Sequence, residues 1–166
     1  MQDKQEIARD WLPRYTGMQL KDFGQYILLT NFSEYVENFA NRYNADIFGE
    51  KKPMQAASNN EGLTIINFGM GSPNAATIMD LLVACNPKGV LFLGKCGGLK
   101  ETTEIGHFIL PIASIRGDGT SKDYFPEEVP ALPSFKLHKF VSEKILEQGQ
   151  EYRTGVIYTT NRRVWE

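Results

Sequence analysis

Cysteine and histidine are scarce in this chain, two of each in 166 residues. Cys85 and Cys96 are too few for a disulfide framework, and with two histidines they give no metal-ligand spacing. No metal or organic cofactor is implied. An excess of one charge is lacking too: 18 basic residues nearly cancel 20 acidic ones, for a net charge of −2. No broad basic face follows, so nucleic acid is not an expected partner. The longest apolar runs are strand-sized, far below the roughly 20 residues that span a bilayer. The N-terminal stretch MQDKQEIARDWL carries charges where a signal peptide needs an apolar core. A cytoplasmic protein with no membrane association is the expectation. Repeats and low-complexity tracts are absent as well.

What remains is the balance of a globular protein, 42% apolar and 23% charged residues, in a length that fits one domain, 1–166. Strands and helices alternate. Tyr26–Thr30 (YILLT) reads as a buried parallel strand. Ser33 is placed to cap the next helix, with Tyr35, Val36, Phe39 and Ala40 on one face. Asn44–Gly62 is a polar connection with a short strand near Met54–Ala57, and Leu63–Phe68 is the next strand. Ser72-Pro73 supplies an N-cap and a first-turn proline for a helix burying Ile78, Leu81, Leu82 and Cys85, which ends at Asn86-Pro87. Val90–Leu93 reads as a third buried strand, His107–Ile115 as one longer strand, Ser134–Gln148 as an amphipathic helix and Gly155–Thr159 as a last strand. This βαβ alternation implies a mostly parallel sheet with helices on both faces. Ligands of such sheets sit beyond the carboxyl ends of the strands. Four ends carry residues suited to a ligand: Thr30-Asn31, Gly69-Met70-Gly71, Gly94–Gly98, and Tyr158 to Arg163.

The strand–Gly-Met-Gly–helix sequence at Leu63–Leu82 invites a dinucleotide reading. That fingerprint needs a small residue at its sixth position, where Asn74 stands, and an acidic residue about 20 positions on, where Val90–Gly94 has none. No Gly-Lys-Ser/Thr follows either, so the phosphate loop of nucleotide triphosphatases is excluded.

The ordered motifs GMGSPNAA, LFLGKCGGL, IGHFILPIASIRGDGTS, YFPEEVPALPSF and TGVIYTTNRRVWE resemble the nucleoside phosphorylase and nucleosidase superfamily. Within it the likeness is to the AMP nucleosidases, through YILLTNFSEYVENFANRY, GTSKDYFPEEVPALPSF and YTTNRRVWE. It covers nearly the whole chain from Tyr26 on. The resemblance implies a nucleoside-phosphorylase-like, three-layer αβα fold with a central mixed, mostly parallel sheet. It implies hydrolysis of AMP to adenine and ribose 5-phosphate, in a homo-oligomer. It places Met70 against the ribose, Lys95, Cys96, Gly97 and Gly98 along the base and sugar, and Tyr158 stacked on the base. Read without the resemblance, Met70 is equally a core methionine, 95–98 a tight strand-to-helix turn, Cys96 a packing cysteine and Tyr158 a sheet-packing residue.

Departures from the superfamily matter as much. Phosphorylases hold inorganic phosphate with a Gly-Asp-Pro segment and two arginines. This chain has Thr30–Glu34 at the first position, Phe92 in place of the second arginine, and Lys95 in place of a phosphate-holding hydroxyl. A dianion needs several donors and positive charge. Water is therefore the expected nucleophile. The cations expected to hold a substrate's own 5′-phosphate are Arg162, Arg163 and Lys95, or Arg42 from a neighbouring subunit; the alternative for the arginine pair is a solvated loop. The resemblance places the general-acid aspartate and the ribose-gripping glutamate in segments that follow the aromatic strand, beyond Glu166. On that reading the chain lacks its C-terminal third and the 166-residue form is inactive alone, with Asp118 and Asp123 the retained acids that offer a substitute. Alternatives are a purine nucleoside phosphorylase, another nucleosidase, or a nucleotide-binding module without catalysis.

Overall fold

The computed structural model describes residues 3–162. The chain forms two compact units, divided between Lys95 and Cys96. The first is built on a five-stranded sheet in the order β2-β3-β4-β1-β5. Strands β1 (Tyr26–Thr30), β4 (Leu63–Asn67) and β5 (Gly89–Leu93) run parallel, in a register that aligns Thr30 with both Asn67 and Leu93. Strands β2 (Ile47–Phe48) and β3 (Gln55–Ser58) extend the sheet antiparallel beyond β4.

Helices cover both faces, because side chains of successive strand residues point to opposite sides. Ile27, Leu29, Ala56 and Ile66 meet α1 (Lys4–Thr16) and α3 (Ser72–Leu81) through Ala8, Leu12, Ile78 and Leu81. On the other face Ala57 and Ile65 meet Val36 and Ala40 of α2 (Ser33–Tyr43). The three-layer αβα arrangement expected from the sequence is present, with its core in β1, β3 and β4. Helix α1 was not anticipated. Its signals are local: the Asp3 N–H donates to the Glu6 carboxylate at 3.4 Å, and Gly17 closes it at φ 73°.

Several expectations need correction. Neither Ser33 nor Ser72 caps its helix by a side-chain bond. Ser33 lies inside the first turn of α2, and its hydroxyl accepts from Asn67 Nδ2 at 3.4 Å. At α3 the cap position is Gly71, whose φ of 97° and ψ of 151° only glycine adopts readily, and Pro73 follows within the first turn. Cys85 is half-buried rather than buried. Strand β5 is not a buried strand: it is the edge of this sheet, and Phe92 is 57% exposed.

In the second unit the expected long strand at 107–115 is two, β6 (Phe108–Ile109) and β7 (Ala113–Gly117), broken at Pro111, which has no N–H to donate. Each pairs parallel with its own partner, β8 (Tyr152–Arg153) and β9 (Val156–Thr160). The backbone keeps contact across the break, since Leu110 N–H donates to Arg153 C=O and Ile112 N–H to Gly155 C=O. Helix α4 (Phe135–Glu147) falls where its amphipathic pattern put it and touches β8 through Ser142 and Tyr152, whose hydroxyls lie 2.8 Å apart.

Candidate functional site

In the first unit the parallel register brings three of the four singled-out strand ends side by side. Thr30 is fully buried; its hydroxyl accepts the Phe32 N–H at 3.2 Å and its carbonyl accepts the Phe68 N–H at 3.0 Å. At the end of β4, Asn67 Oδ1 takes the Gly69 N–H at 2.9 Å. Gly69 and Gly71, at φ 78° and 97°, then turn the chain so that Met70 stands outward, 79% exposed. Met70 is no core methionine. Asn74, the residue that defeats the dinucleotide fingerprint, donates its amide to the Met70 carbonyl at 3.1 Å and fixes the turn from within α3.

Two residues past β5, the Lys95 ammonium lies 4.4 Å from the ring centre of Phe32 and 5.4 Å from that of Tyr35. The two rings meet edge to face at 5.6 Å. Both belong to the β1–α2 junction, so packing of the sheet brings Lys95 onto them. Sequence reading named Lys95 but had no signal for this pair of rings, which only the fold assembles.

The second unit holds Cys96, Gly97, Tyr158 and Arg162. Cys96 is exposed, so it is no packing cysteine. The stretch 94–99 is irregular and no helix follows it directly, and a side chain added at Gly97 would meet open space. Tyr158, 57% exposed, lies on β9 with its phenol across Gly117 of β7, where a Cβ would overlap it. Arg162 is exposed, its N–H donating to Thr160 Oγ1 at 3.4 Å. Arg163 lies outside the described residues.

Residues 116–127 form a braced loop beside Tyr158. The Arg116 guanidinium donates to the carbonyls of Ser121 (3.0 Å), Phe125 (3.2 Å) and Pro126. Asp118 is buried and accepts the Ser121 hydroxyl at 3.0 Å, while Asn161 donates to its backbone carbonyl. A cavity of about 400 Å³ opens among Ile115, Arg116, Asp118, Lys122, Glu127 and Asn161. The Lys122 ammonium, paired with Glu127, holds that carboxyl below its usual range. Asp118 is thus engaged in holding the loop, and of the two acids considered as substitutes only Asp123 is exposed. Sequence reading missed Arg116 and Asn161; their polarity gave no sign that both would bind main-chain carbonyls.

A family model described as the phosphorylase superfamily matches residues 25–166. The chain belongs to the phosphorylase superfamily. The superfamily match starts at the threshold of β1, so the site-bearing strands and turns of both units lie inside it and α1 lies ahead of it. A crystal structure of AMP nucleosidase from Bacteroides thetaiotaomicron VPI-5482 is similar at 61% identity and a TM-score of 0.95, over 99% of this chain and 72% of that one. AMP nucleosidase of Escherichia coli K12 is 28% identical over 200 residues, covering 93% of this chain. The chain spans 41% of the length of that curated relative. A purine nucleoside phosphorylase from Toxoplasma gondii, solved with immucillin-H, shares the fold at a TM-score of 0.81 with 18% identity. The superfamily match over 25–166 takes the place of the dinucleotide reading that the Gly-Met-Gly turn invites.

Proposed function

We propose that the protein hydrolyses the N-glycosidic bond of AMP, giving adenine and ribose 5-phosphate. The observation that carries this reading is the 61% identity to an AMP nucleosidase, sustained over 99% of the chain. The chemistry of the strand ends agrees with it. Thr30–Glu34 and Phe92 stand where superfamily phosphorylases use two arginines for inorganic phosphate, and Lys95 stands in place of a phosphate-holding hydroxyl, so two cationic anion contacts are lost and water takes the nucleophile's place. Cleavage builds positive charge on the ribose, giving an oxocarbenium-like transition state, as in glycoside hydrolysis. The departing adenine then needs a proton from a general acid.

Met70 is the side chain offered to the ribose, and Lys95, Cys96 and Gly97 are offered to the sugar and base. Tyr158 is offered as the stacking ring, a contact worth about 1 kcal/mol. Lys95, Arg162 and Arg163 are the cations offered to the 5′-phosphate. Residues 1–166 are read as belonging to one nucleoside-phosphorylase-like domain, in a cytoplasmic homo-oligomer. Chromatography of reactions on AMP, and on adenosine with added phosphate, separates the readings. Adenine released from AMP without added phosphate is the expected result. Adenine released only from adenosine and only with phosphate would replace the hydrolase by a phosphorylase, and no product from either would leave a binding module.

A further inference from the structure

We propose that Lys95, held on the rings of Phe32 and Tyr35, is the residue that recognises the 5′-phosphate and sets the preference for nucleotide over nucleoside. This rests on the AMP hydrolase reading above and chooses among its three cations. The ammonium sits 4.4 Å and 5.4 Å from the two ring centres. The alternative role for Lys95 is an ordinary surface ion pair. Lys4, Lys122, Lys139 and Lys144 each pair with a carboxylate. Lys95 pairs with none among the described residues, although Glu34 stands in the first turn of α2, between Phe32 and Tyr35 in sequence.

The difference has chemical consequences. A carboxylate would fix the ammonium but neutralise it and occupy its N–H donors. Aromatic faces attract a cation without doing either. Lys95, an exposed side chain, is therefore oriented by the rings yet keeps its N–H donors for an incoming anion, which lowers the entropy cost of ordering it when a ligand arrives. The rings lie at the opening of α2, whose positive end adds to the same field. A lysine beside that end is disfavoured unless an anion joins them. The chemical class that fits is a phosphomonoester dianion. Arg162 has no such platform among the described residues; its backbone N–H donates to Thr160 Oγ1.

The test is the ratio of kcat/KM for AMP to that for adenosine, measured on the wild-type enzyme and on variants. Lys95→Met, which keeps the aliphatic stem, should lower this ratio by about 10- to 100-fold, the range of a charged hydrogen bond. Lys95→Arg should retain most of it. Tyr35→Leu should lower the ratio severalfold, chiefly through KM for AMP, and Tyr35→Phe should restore it, because the ring and not the hydroxyl positions the ammonium. Arg162→Ala should cost less of the ratio than Lys95→Met. A Lys95→Met enzyme with the wild-type ratio, or a larger loss in Arg162→Ala, would overturn the assignment while leaving the hydrolase reading intact. Equal wild-type rates on AMP and adenosine would also overturn it alone. A wild-type enzyme that cleaves neither substrate would overturn both.

Discussion

The two thiols of the chain sit in opposite environments. Cys96 is exposed at the glycine-rich segment after Lys95, whereas burial pushes the Cys85 thiol up to about 11. Only the thiolate alkylates. At about pH 8, iodoacetamide should therefore modify Cys96 quickly and Cys85 slowly, giving a single adduct by intact mass that peptide mapping places at Cys96. Two adducts at equal rates would mean that the turn at 82–85, after α3, opens readily. A substrate lying along 95–98 should slow the Cys96 reaction, so the same assay reads occupancy of that segment. At this scale the sequence was informative about residue choice and poor about surroundings. The strand ends near Met70, Lys95 and Tyr158 stood out by pattern, and the resemblance to the superfamily picked those residues from them. The rings beneath Lys95 lie about sixty residues earlier in the chain, and no local pattern encodes that contact; the Asn74 brace on Met70 and the grip of Arg116 on three carbonyls are local, but set by turn geometry rather than by hydrophobic spacing.

Among the elements, the parallel trio differs sharply in depth. Strands β1 and β4 are covered on both faces, with Ile27, Leu29, Ile65 and Ile66 at 4% exposure or less, while Leu91 on β5 is 37% exposed. Ile66→Ala removes atoms from a closed core and should cost about 2–5 kcal/mol. Leu91→Ala on the edge strand should cost less than Ile66→Ala, because more than a third of its surface is already open to water. Urea melts of the two variants test the ranking, and equal losses would place β5 in the interior. Strand and helix types were legible here because YILLT and LTIIN are nearly pure apolar runs and α2 and α4 carry helical spacing. Helix starts were less so. A serine before a helical pattern suits an N-cap, but in α2 the Thr30–Phe32 bond starts the helix one residue early, and in α3 Gly71 does the same. The break at Pro111 was readable from its missing N–H, yet the apolar alternation on either side concealed it.

Across the whole molecule, the first unit carries its apolar residues inward in two clusters on either side of its sheet. In the second, Asp118 is the one buried residue among those described, and Phe135, Phe140, Leu146 and Val156 are more than half exposed. No helix among the described residues is long and apolar enough to cross a membrane. Fold and family were readable at this scale because five motifs stand in a fixed order along most of the chain. The choice of water over phosphate as the nucleophile rests on fewer residues, Thr30–Glu34, Phe92 and Lys95, and is the central claim. Phosphorus NMR of AMP turnover in phosphate-free buffer, with the protein as its gene encodes it, tests that choice most directly. The AMP resonance should give way to a single ribose 5-phosphate resonance as an equal amount of adenine appears, at a rate that does not depend on added phosphate. Turnover that begins only when phosphate is supplied, with a second resonance from a phosphate on C1 of the sugar, would contradict it.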